Sequence, residues 1–387
     1  MSKSKEALDF VHLMDELLSA RQIVLFGAGE LAMFSMLRLA YLGVKSRVVA
    51  ISDNSASKIG TSIEGIPVIT VSELAGNYLD AKVIITIGND SHQREVQTQL
   101  EELGFSNFIS SKVLLEPYQF TGAREPFLVQ HPGEPSILKS VVMSITTKCN
   151  LRCKHCCYLM THVEKPQNAD RNQIIASAKK LSSIVGSINT FAIVGGEPFL
   201  HPDLNEICEE IGKIDNIKFK NIITNGRIVP SVELLDTLKR NGIAIFFSDY
   251  GDMSTKKQAI EKLCKEHGVL FRQTFNTFEN APTQWFTTEF PKKHGRSSGE
   301  NIEKFAHCAP CNAIVNGKFY ICVYEAFGTL LNAIPADPSD CVDLLDANLS
   351  PNDLRMNLET LLLKRDILTS CDYCQTETKL VPIAEQR

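Results

Sequence analysis

Apolar residues along this chain fall into two alternating rhythms: short unbroken runs, and longer stretches in which they return every three or four positions. The first marks strands buried on both faces, the second helices with one buried face. An opening helical stretch carries Ala7, Phe10, Val11, Met14, Leu17 and Leu18 on one side. An apolar run at Ile23–Phe26 follows, then the turn Gly27-Ala28-Gly29-Glu30, a helical pattern to about residue 42, a strand over Arg47–Ile51, and Asp53. A strand over Ala81–Gly88, a helix over Gln93–Leu103 and a closing strand at Phe108-Ile109 complete this region. Strands separated by helices pair in parallel, because the chain must cross back over the sheet between them.

Pro117, Gly122, Pro126, Pro132, Gly133 and Pro135 then break every periodicity, and the stretch from 112 to 136 reads as a linker. From about 137 the alternation resumes. Strands are predicted over Ser140–Thr146, Thr190–Val194, Lys218–Thr224, Ile243–Ser248 and Val269–Arg272, with helices over 171–185, 204–213, 232–240 and 255–266. Five such units in series predict a full or partial barrel whose chemistry sits at the C-terminal ends of its strands. Trp285–Phe290 is the candidate for a sixth strand. Beyond residue 300 the pattern changes to a hairpin at Asn316-Gly317 and a helix over 352–366.

Composition narrows the function. Forty Lys and Arg against forty-five Asp and Glu leave a net charge of −5, with the signs interspersed. No basic face is offered to nucleic acid. The N-terminal stretch lacks the apolar core of a signal peptide, and no run reaches the roughly eighteen apolar residues of a membrane span. The expectation is a cytoplasmic protein with no membrane partner. Twelve cysteines are many for a reducing compartment, where clustered thiols point to metal or redox chemistry. Cys208, Cys264 and Cys341 stand alone and read as small buried hydrophobes.

The first group is Cys149-Asn150-Leu151-Arg152-Cys153-Lys154-His155-Cys156, directly after an apolar strand. Three thiolates at this spacing can converge on one face of an iron–sulfur cube and leave its fourth iron without a protein ligand. A zinc cage completed by His155 or Cys157 is the alternative. The loop resembles the signature of the radical SAM superfamily, CxxxCx-aromatic-C, with His155 at the aromatic position. Gly195-Gly196-Glu197-Pro198, Thr224-Asn225-Gly226 and Ser248-Asp249 follow in that superfamily's order, each at a strand's C-terminal end.

The resemblance implies that Cys149, Cys153 and Cys156 hold a [4Fe–4S] cluster whose open iron chelates S-adenosylmethionine. An electron from the cluster, supplied by a donor such as flavodoxin or ferredoxin, would yield methionine and a 5′-deoxyadenosyl radical that takes hydrogen from the substrate. Gly195 and Gly196 would let backbone approach the ligand, Glu197 would accept from the methionyl ammonium, and Ser248 and Asn225 would line the same pocket, with strand-end capping as their alternative role.

The second group is Cys308, Cys311, Cys322, Cys371 and Cys374. A thiol before a hairpin, one after it and a distal CxxC make a four-thiolate cage for a cluster or zinc. This resembles the SPASM and Twitch regions that follow some radical SAM barrels. Cys308, Cys322, Cys371 and Cys374 are the favoured ligands of one auxiliary [4Fe–4S] cluster, with Cys311 the substitute for Cys308 and a structural zinc ribbon the alternative. Twitch-bearing alcohol dehydrogenases suggest that such a cluster accepts an electron from the substrate radical. Enzymes that modify ribosomal peptides also carry auxiliary clusters.

In the first region, Gly27-x-Gly29-x-x-Ala32 between strand and helix, with Asp53 after the next strand, suits an anion at the helix N-terminus and a ribose hydroxyl at the acid. The phrases FGAGELA, ISDN, GIPVI and IITIGN resemble the Rossmann-like domain of bacillosamine-type sugar acyltransferases, which implies a nucleotide-sugar ligand; an empty docking module is the alternative. The fold class expected is α/β, divided into a Rossmann-like domain (1–115), a linker (116–136), a partial (β/α)6 barrel (137–300) and a small cluster-binding extension (301–387). The leading expectation is a radical SAM oxidoreductase acting on a carbohydrate or nucleotide-sugar, with a peptide-modifying enzyme as the alternative. Tyr250, Arg272 and Tyr324 are polar residues near the expected site.

Overall fold

The computed structural model describes residues 16–17, 19–41, 44–87, 90–111, 128–129, 136–273, 284–306, 308, 310–375 and 379–387. They belong to two compact units, Met1–Glu125 and Pro126–Arg387.

In the first unit, β1 (Ile23–Phe26), β2 (Val48–Ser52), β3 (Ser62–Ile63), β4 (Ile66–Ile69), β5 (Lys82–Ile85) and β6 (Phe108–Ser110) form a sheet in the order β3-β4-β2-β1-β5-β6. All neighbours are parallel except β3, which hairpins onto β4. Side chains of β1 alternate between two cores. Ile23 and Leu25 join Met36 and Leu39 of α1 (Glu30–Tyr41). Val24 and Phe26 join Leu74 of α2 (Val71–Asn77), and Val96 and Leu100 of α3 (Asp90–Glu102). A strand with both faces covered has no polar side to show, which is why its sequence is continuously apolar. The β3–β4 hairpin and α2 have no counterpart in the periodicity. They depend on a turn with Glu64 and Gly65 at φ +50° and +80°, and on a capping box between Thr70 and Glu73. Of the predicted first helix, residues 1–15 and 18 lie outside the described residues, as does Gly88. Leu17 is fully buried.

The second unit is built on β7 (Leu128–Val129), β8 (Ile137–Ser144), β9 (Ser187–Val194), β10 (Ile217–Thr224), β11 (Ile243–Phe247), β12 (Phe271–Gln273), β13 (Gln284–Phe286), β14 (Ala313–Val315), β15 (Lys318–Tyr320), β16 (Cys341–Asp343) and β17 (Leu380–Pro382). Strands β8 to β12 pair in parallel in sequence order, linked by α4 (Arg171–Ile184), α5 (Leu204–Gly212) and α6 (Val232–Arg240), with α7 (Lys257–His267) before β12. Helix starts follow from local chemistry: the side chains of Asp170 and Ser231 accept from the N–H groups of Gln173 and Leu234. Apolar residues of these helices, such as Leu181, Ile207, Leu235 and Ile260, form one core with the sheet.

The fold class is α/β, and the sheet has the parallel run of a partial barrel. The sixth strand differs from expectation. Gln284–Phe286 leaves the main sheet and pairs antiparallel with β17. The sixth parallel strand is instead β14, which docks on the other side of β8. Its hairpin partner β15 follows across a turn with Asn316 and Gly317 at φ +47° and +81°, and β16 extends the edge. The cysteine-rich region therefore contributes strands to the barrel sheet itself. In the expected linker, β7 pairs antiparallel with β8, while 112–127 and 130–135 lie outside the described residues. The remaining helices are α8 (Ser298–Ala306), α9 (Val323–Leu330) and α10 (Pro351–Lys364). No helix among the described residues is long and apolar enough to cross a membrane.

Candidate functional site

The loop that leaves β8 carries the first cysteine group, and the ends of β9, β10 and β11 stand beside it in the sheet. Burial pushes the Cys149 thiol up to about 11, with Cys156 and Glu197 adding to it. Burial also raises Cys153, which feels Cys149, and Cys156, which feels Cys153. The three thiols thus lie within one another's electrostatic reach. Each sulfur has its own donors. Cys149 accepts from the Leu151 N–H and has the Asn225 amide 3.9 Å away. Cys156 accepts from the N–H groups of Tyr158, Leu159 and Met160. That turn needs Leu159 at φ +54°, a left-handed conformation that a branched side chain adopts only where its surroundings enforce it. Cys153 accepts from the Gln386 side-chain amide at 3.5 Å.

The two residues weighed as a fourth ligand have these neighbours. His155 Nδ1 pairs with the Thr288 carbonyl at 3.1 Å. Cys157 faces Cys156 and Cys311. Its side chain is exposed, while the surrounding protein desolvates its thiol and pushes it up. Tyr158 faces the same cysteines and Tyr250, and Tyr250 stacks edge-on against Trp285 with centroids 5.2 Å apart. Among the described residues no group of three His, Cys, Asp or Glu side chains closes on a single metal ion.

Within the protein, the glycines and the acid bring two loops together. A Cβ on Gly196 would meet the Lys148 carbonyl oxygen at 2.2 Å and the Cys149 Cβ at 2.8 Å, and one on Gly195 would meet the Thr146 carbonyl oxygen at 2.5 Å. Their missing side chains let the β9 loop lie directly against the cysteine loop. Backbone bonds from Gly196 to Thr146 and from Glu197 to Lys148, both 2.8 Å, lock that contact. The Glu197 carboxylate is fully buried and accepts from Phe199 N–H, Thr224 Oγ and Asn225 N–H at 3.2, 2.9 and 2.9 Å. Burial raises it to about 7 against these donors. It ties the end of β10 to the loop after β9. Asn225 in turn donates to Asn150 Oδ1 at 2.8 Å, inside the cysteine loop. Ser248 donates its N–H to Thr224 and bonds the Tyr250 phenol through its side chain.

The second group divides. Burial raises Cys322, which feels Cys308 and Cys374, and burial raises Cys371 to about 11, with the same two thiols adding. Cys308, Cys322, Cys371 and Cys374 therefore form one set. Cys311 stands apart from it and faces Cys157 and Tyr158. The turn bearing Cys371 and Cys374 is clamped by two cations: Arg296 donates to both cysteine carbonyls at 2.6 and 2.5 Å, and Lys304 donates to the Cys374 carbonyl at 2.9 Å. Tyr324 donates to the carbonyls of Glu289 and Tyr373, and Arg272 is buried in the middle of β12. Cys156 and Tyr158 from the first group and Cys311, Cys322 and Cys374 from the second pack on one apolar cluster that includes Phe327 and Tyr324.

The stretch 143–282 matches the family model described as the radical SAM superfamily. This is a radical SAM domain. It belongs to enzymes that work with a [4Fe–4S] cluster and S-adenosylmethionine, and the donor set fits: three mutually close thiols supplied with N–H donors suit anionic cluster ligands. The second thiol set suits an auxiliary cluster in the same way. Relatives in sequence include the antilisterial bacteriocin subtilosin biosynthesis protein AlbA of Bacillus subtilis (strain 168), 31% identical over 151 residues, which are 35% of this chain and 32% of that protein. A probable GTP 3′,8-cyclase of Methanococcus maripaludis (strain C7) is 39% identical over 94 residues, 23% of this chain and 29% of that protein. The chain spans between 16% and 32% of the length of the first curated relatives it matches. A solved structure of Streptococcus suis SuiB bound to precursor peptide SuiA covers 80% of this chain and 79% of its own, at 12% identity and a TM-score of 0.25.

In the first unit, Gly27 turns at φ +113°, and a Cβ there would meet the Thr86 carbonyl oxygen at 2.9 Å. A Cβ on Gly29 would meet nothing within 4 Å. Asp53 accepts from Ala28 N–H, Ser55 N–H and Lys58 Nζ at 2.6, 2.8 and 3.0 Å. Burial pushes its carboxyl up, but those donors outweigh it and the carboxyl lies below the usual range. The acid expected to meet a ribose thus fastens its own loop.

Sequence reasoning missed three contributors. The Thr224 hydroxyl on Glu197 was visible as part of the Thr-Asn-Gly string. Ser254, whose hydroxyl donates to the Asn225 carbonyl at 2.9 Å, and Gln386 carry no local signal, because their partners are 29 and 233 positions away.

Proposed function

We propose that this chain reductively cleaves S-adenosylmethionine at a cluster held by Cys149, Cys153 and Cys156, and abstracts hydrogen from a peptide substrate. When bound, the cluster supplies the electron that splits the sulfonium. The carrying observation is the mutual proximity of those three thiols beside the ends of three neighbouring parallel strands. The chain's own residues hold the loop: Gly195 and Gly196 admit it, and Glu197 and Asn225 fix it. Cys308, Cys322, Cys371 and Cys374 are assigned to an auxiliary [4Fe–4S] cluster, and the electron-rich rings between the two groups favour electron passage. In this division of labour, residues 137–300 perform cleavage and 301–387 accept the electron, making the reaction a net oxidation.

A peptide substrate is favoured by the relative named for bacteriocin biosynthesis. A carbohydrate or nucleotide-sugar is the second reading, favoured by the parallel sheet and Gly27 turn in residues 1–115, with Ser248 and Asn225 then sharing the S-adenosylmethionine pocket in either case. The engagement of Asp53 by its own loop weighs against a ribose contact there.

Anaerobically purified protein is expected to hold about eight irons, counting two [4Fe–4S] clusters, and to release 5′-deoxyadenosine under reductant. Zinc without iron would remove the proposal. Cys371→Ala should leave cleavage detectable and abolish turnover; normal turnover would remove the acceptor role. Titration of the full chain with UDP- and dTDP-sugars, read calorimetrically, decides the second reading, which fails if none binds.

A further inference from the structure

The segment after β17 runs antiparallel along the first cysteine loop. Lys154 N–H donates to the Glu385 carbonyl at 2.7 Å and Arg387 N–H to the Arg152 carbonyl at 2.8 Å, bracketing a bridge between Cys153 and Gln386. Pairing of β17 with β13 anchors the segment, and Ala384, buried at φ +54°, redirects it toward the loop. Ala384, Leu151 and Cys153 then close a small apolar cluster.

Within this contact the Gln386 side chain makes three bonds. Its Oε1 accepts from Arg152 N–H at 2.7 Å, while its Nε2 donates to the Ala384 carbonyl at 2.5 Å, which orients the amide, and to Cys153 Sγ at 3.5 Å. The first fixes the loop; the last acts on the ligand atom. A hydrogen bond to a cysteine sulfur disperses negative charge, and the reduced cluster carries more of that charge than the oxidised one, so such a donor favours reduction.

We propose that Gln386 is a positioning residue that sets the reduction potential of the first cluster through Cys153. The inference rests on the radical SAM reading and goes beyond it, since nothing in the cysteine loop requires a donor from 233 positions away.

Two variants of the full chain separate its functions. Gln386→Glu keeps an acceptor for Arg152 N–H but loses the donor to sulfur; Gln386→Leu loses both. In iron-free protein, hydrogen exchange at the Arg152 amide should stay protected in Gln386→Glu and accelerate about tenfold in Gln386→Leu. In iron-loaded protein, the midpoint is followed by the EPR signal that S-adenosylmethionine perturbs. Both variants should be about tenfold harder to reduce, about 59 mV for one electron. A merely structural strap would leave Gln386→Glu at the wild-type midpoint, and that result overturns the proposal while the radical SAM reading stands. Wild-type protein without iron overturns both.

Discussion

Asp53 in the first unit and Glu197 in the second hold similar posts. Each is a buried carboxylate just past a parallel strand, and each fastens a glycine-bearing turn by accepting two backbone N–H groups. Their ionisation is opposite. Asp53 also has the Lys58 ammonium at 3.0 Å and its carboxyl is held low; the third partner of Glu197 is the neutral Thr224 hydroxyl, and burial raises it to about 7. The same local grammar thus yields a self-contained turn in one unit and, in the other, a brace whose purpose is the cysteine loop it presses against. A glycine turn and an acid after a strand do not by themselves mean a ligand; what lies opposite decides.

The sharpest break in the comparison is expected from Cys153→Ala, which should bring 5′-deoxyadenosine formation below detection by liquid chromatography, while Asp53→Ala leaves it unchanged. Next is Gly196→Ala. Its Cβ meets backbone at 2.2 Å, so a cost of roughly 3 kcal/mol to the second unit and loss of iron are expected in urea titrations and iron analysis. Glu197→Gln turns an acceptor toward donors it cannot all satisfy, for about 2 kcal/mol by the same titration.

The pH dependences should have opposite signs in iron-free protein. Asp53, held low, contributes stability that is present above its unfolded value of 3.8 and lost as pH falls through its folded value. Glu197, held high, favours the folded state while protonated, so its contribution declines as pH rises from 4.5 to about 7. Urea midpoints across pH, wild type against Asp53→Asn and Glu197→Gln, read the two slopes. The smallest effect is Gly29→Ala, within about 0.5 kcal/mol, since its Cβ would enter open space.

Much of this was legible in the chain. Continuous apolar runs at Ile23–Phe26 and Ile243–Phe247 marked doubly covered strands, and three-to-four periodicity placed helices near 171–185 and 232–240. The spacing of Cys149, Cys153 and Cys156 pointed to a loop after a strand. Less legible were features that exist only through distant pairing. Trp285 lies in a strand-like run, but β17 captures it before the barrel sheet can. Ala313–Val315 is too short to stand out, yet docks on β8 because both of its faces find apolar cover. The roles of Gly195 and Gly196 also needed the fold, since a string of glycines does not say whether a ligand or a neighbouring backbone comes close.

The docking of β14 on β8 has a consequence for how the two sulfur groups are mounted. Cys149 follows β8 in the chain, Cys311 precedes β14 and Cys322 follows β15, three successive strands of one sheet. Breathing of the loops at either end leaves that ladder intact. The sheet thus holds the two cysteine-bearing segments on one rigid frame, and whatever the proposed clusters exchange would cross fixed scaffolding rather than a moving part.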